Sequence, residues 1–244
     1  MASFTDKKDY FGLTANSAPL EIIDDDDGAS NEYNDYKAQD GSFIDNIVYG
    51  EKQEPSNGLE LTGDWAIEAD TIKLGGVTTV DSKKFALGEL SIETTAGELP
   101  KISASGKQVP SDAATTRYYA IPAETVKNDE TAQILWGAFA LAGTNCHLQS
   151  AKYKVSAELP TADKNGFPIA FGVSQGVIEC EVEIVQCGST APTLTAGENW
   201  HVSSKLKCSN PDSDCPTWSA TLRRFLTKTV PTPAPSNASA SASS

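Results

Sequence analysis

Histidine, methionine and basic side chains are all scarce in this sequence. Its 244 residues contain two His, one Met at position 1, and 19 Lys and Arg against 33 Asp and Glu, a formal net charge of −14. A single Met leaves no material for a Met-lined adaptable groove. The acidic balance repels nucleic-acid phosphates over most of the surface, because such binding needs clustered Lys and Arg. It suits a protein that lets DNA pass without adhering. With only His147 and His201, the sequence offers no HExxH, no defensible Ser-His-Asp order and no metal-ligand spacing. Neither GxxxxGK[ST] nor GxGxxG occurs. An enzyme is therefore not expected, and no catalytic, cofactor-binding or metal-binding residue is nominated.

Long apolar runs are missing too. Nothing approaches the roughly 20 apolar residues of a membrane-spanning helix, and Met1 to Asp9 lacks the apolar stretch of a secretory signal. The expectation is a soluble chain synthesised in the cytoplasm, with its five cysteines folding in a reducing compartment.

The remaining composition is that of a folded protein, 39% hydrophobic and 21% charged. From Val177 to Cys187, Ile178, Cys180, Val182 and Ile184 alternate with Glu179, Glu181 and Glu183, the period of a strand with one buried face. Strands are also expected over Phe43 to Glu51, Leu59 to Glu68, Lys84 to Thr94, Lys101 to Ser105, Tyr153 to Leu159, Trp200 to Cys208 and Thr217 to Leu226. Turn signals at Asp40-Gly41, Asn57-Gly58, Gly75-Gly76, Asn165-Gly166 and Asn210-Pro211 punctuate them. One short helix is expected from about Asp129 to Leu141, where Asp129 caps and Ile134, Leu135, Ala138 and Phe139 recur at helical spacing; a buried strand around Ile134 to Trp136 is the alternative.

The chain resembles itself. Ala38-Gln39-Asp40-Gly41-Ser42-Phe43 corresponds to Ala162-Asp163-Lys164-Asn165-Gly166-Phe167, Leu59-Glu60-Leu61 to Val182-Glu183-Ile184, and Leu99 to Ser105 corresponds to Cys215 to Thr221. The offset drifts from 125 (Gly41 to Gly166) through 122 (Gly75 to Gly197) to 116 (Pro100 to Pro216), as loop insertions would make it. Phe11-Gly12-Leu13 against Phe139-Ala140-Leu141 extends the match upstream. The fold class that follows is mainly β: two tandem β-sandwich or barrel domains from an internal duplication, with the helix near their junction. The divisions are an N-terminal arm over 1–10, a first β domain over 11–110, a connection with the helix over 111–145, a second β domain over 146–229, and a disordered Ser/Ala/Pro tail over 230–244.

Two clusters invite chemistry. Cys180, Cys187, Cys208 and Cys215 form two C-x6-C spacings. Structural zinc favours tighter C-x2-4-C knuckles, and Cys215 corresponds to Leu99, so buried thiols are preferred over a Cys208 to Cys215 hairpin disulfide or zinc. Asp24 to Asp27 before Gly28 lacks the alternate spacing and final Glu of an EF-hand, so a solvated acidic loop is expected.

Thr79-Val80-Asp81-Ser82-Lys83 and Val202-Ser203-Ser204-Lys205, followed by Ile102-Ser103-Ala104-Ser105 and Trp218-Ser219-Ala220-Thr221, resemble the closing strands of bacteriophage tail and virion proteins. Phe11-Gly12-Leu13-Thr14 and the stretch from Gly88 to Gly106 are similar to that family as well. The resemblance implies a structural virion component of tail-tube, tube-hub or connector type, without cofactor. It implies a homo-oligomeric ring, a trimer or hexamer, that binds other virion proteins, has no membrane span and does not bind nucleic acid stably. The alternative is a carbohydrate- or host-surface-binding β module, for which Trp65, Trp136, Trp200 and Trp218 would supply an exposed platform.

Overall fold

The computed structural model describes residues 7–14, 19–37, 39, 43–164, 167–188 and 190–230, with the backbone alone over 31–37 and 43–51. Its strands are β1 Leu20–Asp26, β2 Ala29–Lys37, β3 Phe43–Gln53, β4 Ser56–Leu61, β5 Trp65–Ile67, β6 Lys73–Leu74, β7 Val77–Val80, β8 Lys83–Thr95, β9 Lys101–Val109 and β10 Tyr118–Ala120. They continue with β11 Glu124–Val126, β12 Phe139–Ala142, β13 Cys146–Glu158, β14 Thr161–Lys164, β15 Phe167–Phe171, β16 Ser174–Gln186, β17 Thr193–Ala196, β18 His201–Cys208, β19 Thr217–Phe225 and β20 Lys228–Thr229. No helix occurs among the described residues, so none is long and apolar enough to cross a membrane. The turns expected at Asp40-Gly41 and Asn165-Gly166, the first six residues and the tail beyond Val230 lie outside the described residues.

One sheet dominates. Its strands lie in the order β1-β4-β9-β8-β13-β16-β19-β18, with β7 paired to part of β8. Alternation explains why these segments are strands. On β16, Ile178, Cys180, Val182 and Ile184 are buried while Glu179, Glu181 and Glu183 lie on the opposite face. Leu90 and Ile92 of β8, Tyr153 and Val155 of β13, and Leu222 of β19 extend the same buried face. Each such aliphatic side chain contributes about 1.5–3 kcal/mol by leaving water. The short pairs β5–β11 and β12–β17 and the small sheet β20-β10-β6 accompany it, and Trp65, Leu74, Ile121, Val126 and Phe139 join its core.

The first four strands of that order and the last four have the same connectivity. In each, a first strand pairs with the second, which pairs with the fourth, which pairs with the third: β1-β4-β9-β8, then β13-β16-β19-β18. In each, a hairpin (β2–β3 or β14–β15) stands between the first strand and the second. The registers break at matching places. Against β4 the shift follows Ile22, and against β16 it follows Leu148, 126 residues later. In the hairpins it follows Tyr36 and Ala162, again 126 apart. A third break separates Leu87 from Glu89 opposite β9, and Val202 from Ser204 opposite β19. β8 and β13 are hydrogen-bonded from Ser150–Thr95 to Ser156–Glu89, so both spans share one sheet rather than forming sheets of their own.

The expected helix is corrected. Leu135 to Ala138 is a turn closed by the Ala138 N–H on the Leu135 carbonyl at 3.2 Å, and Phe139 begins β12. Trp136 and Gly137 both have positive φ (53° and 58°), which no right-handed helix accepts. The helical spacing of Leu135, Ala138 and Phe139 reflects separate burial: all three are interior, whereas Ile134 is exposed. Asp24 to Asp26 belong to β1 and are not a loop, and Asp27 and Gly28 alone interrupt β1 and β2. The segment expected as one strand from Leu59 to Glu68 is two, β4 and β5, with Thr62 donating its N–H to the Pro19 carbonyl between them.

Candidate assembly surface

Strand edges, rather than a cleft, gather the polar and charged features. β1 and β18 are the terminal strands of the large sheet, and among the described residues no strand pairs their outer edges. An unpaired edge presents a row of backbone N–H and C=O groups, a template for another strand. The two edges carry opposite charge. β1 reads Leu-Glu-Ile-Ile-Asp-Asp-Asp, with Glu21, Asp24 and Asp26 exposed; β18 carries Lys205 and Lys207, both exposed. The polar and charged composition of both edges restrains unspecific pairing while leaving complementary pairing possible.

The face away from the core carries charges in cross-strand rows. Lys101, Glu93, Lys152 and Glu181 follow one another across β9, β8, β13 and β16. Ser91, Lys154, Glu179 and Arg223 form a second row across β8, β13, β16 and β19. Lys154 reaches Glu89 at 2.7 Å and Lys152 reaches Glu93 at 3.7 Å, across the β8–β13 junction, and Arg223 pairs with Glu179. Each exposed pair stabilises by under about 1 kcal/mol, but alternating signs fix the register because like charges directly opposite are unfavourable.

The β14–β15 hairpin supplies an apolar tip. Phe167 and Ile169 are 58% and 57% exposed, unusual for large apolar residues on one short strand. Close to its turn, this hairpin is tied to the other span by an ion pair from Lys52 on β3 to Asp163 on β14 at 2.8 Å.

The residues weighed for chemistry do not converge. His147 lies opposite Val185 on β16, whereas His201 lies opposite Arg223 on β19, which in turn faces Glu179 six residues away along β16. Both imidazoles are exposed. Trp65, Trp136 and Trp200 are buried and Trp218 is half-buried against the core, so the tryptophans form no exposed platform. The cysteine expectation is corrected in part. Cys187 and Cys215 form a disulfide; Cys146, Cys180 and Cys208 are free. The pairing partner of Cys215 is not Cys208 because Val185 is opposite Thr217 and the Gln186 N–H bonds the Pro216 carbonyl, which draws the end of β16 to the start of β19. Cys180 is a buried thiol as expected, and burial pushes its pKa up to about 12. Burial also raises Tyr153, whose hydroxyl lies in the same interior.

The opposed charge of the two edges was visible in the sequence as Asp24 to Asp27 and Lys205-Leu206-Lys207, but nothing local marks those segments as edges. In comparisons with known proteins, no family model matches this sequence and no curated protein matches it.

Proposed function

We propose that this chain is a non-enzymatic structural subunit, descended from an internal duplication, that self-assembles into a ring through strand edges and loops. The observation that carries the reading is the repeated strand order that ends, on both sides, in an edge with no strand partner among the described residues. A surface of this kind binds by β-augmentation, in which backbone hydrogen bonds give affinity and side chains give register. The setting we propose is a virion, in a tail tube, tube hub or head-to-tail connector, with other virion proteins as further partners and synthesis in the host cytoplasm. That setting rests on the resemblance of the segments around Thr79 to Lys83 and Val202 to Lys205 to phage tail proteins. The charged outer face, with Glu89, Glu93, Glu179, Glu181 and Glu183 among its acids, suits a lumen past which DNA slides without stable binding.

The test is the mass of the purified protein by light scattering over a range of concentrations, followed by electron microscopy of negatively stained particles. Rings or concentration-driven oligomers support the reading. A strict monomer at high concentration overturns self-assembly and favours the surface-binding alternative, with the exposed Phe167 and Ile169 as the first residues to test for adhesion.

A further inference from the structure

The junction between the two halves of the chain is a contact between a third-position strand, β8, and a first-position strand, β13. The two unpaired edges are the remaining members of those classes: β18 is third-position and β1 is first-position. From this we infer that the second half of β18 of one molecule pairs antiparallel with the stretch that joins β1 to β2 in the next, Asp27 to Ser30, repeating between chains the junction that β8 and β13 make within one. This deepens the self-assembly reading and rests on it.

The matching register breaks define which residues meet. The break between Leu87 and Glu89 corresponds to that between Val202 and Ser204, so Ser204 takes the place of Glu89. The break after Ile22 corresponds to that after Leu148, so Ser30, at the same 126-residue offset, takes the place of Ser156. Glu89 is opposite Ser156, and so Ser204 comes opposite Ser30 of the neighbour. From there β18 runs toward Cys208 while the neighbour's chain runs back toward Asp26. Lys207, opposite Ser219 as Ser91 is opposite Ser103, takes the place of Ser91 and faces Gly28.

Charge agrees with this placement. Inside the chain, Lys154 on the first-position strand reaches Glu89 on the third-position strand. Between chains the signs are exchanged: Lys207, opposite Gly28, has the neighbour's Asp26 as its diagonal neighbour on the same face, with Asp27 beside it in the chain. A contact of β1 with β1 would oppose acid to acid, and one of β18 with β18 base to base, so the charges favour head-to-tail order. Head-to-tail contacts of this type close into rings when the rotation permits and otherwise continue as filaments.

Two experiments test the inference on the full chain. In the first, Ser30→Cys/Ser204→Cys, with Cys208→Ser to remove the neighbouring thiol, is oxidised and run without reductant; a ladder of dimers and higher species is expected. A control with Ser30→Cys/Ser219→Cys, which places one thiol a strand further in, should give at least tenfold less. In the second, Lys205→Glu/Lys207→Glu and Asp26→Lys/Asp27→Lys are each expected to raise the concentration needed for assembly at least tenfold, and a one-to-one mixture is expected to restore it. If the wild-type protein assembles but the cross-link fails and neither charge variant alters assembly, this interface is wrong while self-assembly stands. If the wild-type protein is monomeric at every concentration and no cross-link forms, both fall.

Discussion

The phenolic oxygen of Tyr153, on β13, accepts the backbone N–H of Leu135 at 2.8 Å. The ring of the same tyrosine meets Trp136 edge-on at 5.5 Å. A strand residue in the middle of the large sheet thereby fixes the turn that stands where helical spacing predicted a helix. Neighbouring bonds complete the arrangement: Trp136 donates its N–H to Glu124 at 2.8 Å, and its indole N–H goes to the Pro122 carbonyl at 3.0 Å.

Tyr153→Phe keeps the ring and removes the acceptor, leaving the Leu135 N–H unpaired in the interior. The expected loss is about 1–3 kcal/mol of stability. Urea denaturation of the two proteins, with unchanged slope, measures it.

Gly197→Ala is predicted to destabilise by about 1–3 kcal/mol, because its new Cβ would lie 1.8 Å from the Gly137 carbonyl oxygen. The turn would have to move, and with it the Trp136 carbonyl that accepts the Trp200 indole N–H at 3.1 Å. Tryptophan fluorescence should shift along with the denaturation midpoint. Gly63→Ala, whose nearest neighbour is 3.6 Å away, should stay within about 0.5 kcal/mol of the wild type.

The Cys180 thiol gives a pH prediction. Burial holds its pKa near 12 against an ordinary value of 9.0, so the unfolded chain loses this proton first as the pH rises. Its influence on stability is absent below about pH 9 and then costs up to about 1.4 kcal/mol per pH unit until the folded thiol itself ionises. Cys180→Ala should flatten that alkaline slope in denaturation series between pH 8 and 11, while native Cys180 resists alkylation at pH 8.

Reduction of the Cys187–Cys215 bridge, which closes a separation of 28 residues, should lower stability by about 3 kcal/mol. Peptide mapping without reductant should recover these two cysteines as one linked pair and Cys146, Cys180 and Cys208 as free thiols. Recovery of a Cys208–Cys215 pair would contradict the described connectivity.

Much of the sheet was legible because its signal is local. Alternation between Ile178 and Glu183 announces β16, and the apolar residues of β8 and β19 mark strands by composition alone. Of the segments matched within the sequence, Leu59 to Leu61 and Val182 to Ile184 lie on β4 and β16, whereas Phe11 to Leu13 lies in no strand and Phe139 to Leu141 in β12. What failed was decided by partners distant in the chain. Trp136 and Gly137 take positive φ in a turn held by Tyr153 and Glu124, which no spacing around Leu135 reveals. Asp24 to Asp26 have poor strand propensity but are tolerated on an edge strand, where water reaches them. Cys187 and Cys215 meet only because β16 and β19 are neighbours.

The covalent continuity across the β8–β13 junction also has a kinetic meaning. If each chain repeats that junction with its neighbour, every second contact around the assembly forms within one molecule, at an effective concentration set by the 111–145 segment rather than by diffusion. Two separate half-size subunits would lose translational freedom at every contact; this chain loses it at only half of them. A nucleus of given circumference then needs fewer encounters, and closure should tolerate dilution better than a ring of unlinked halves.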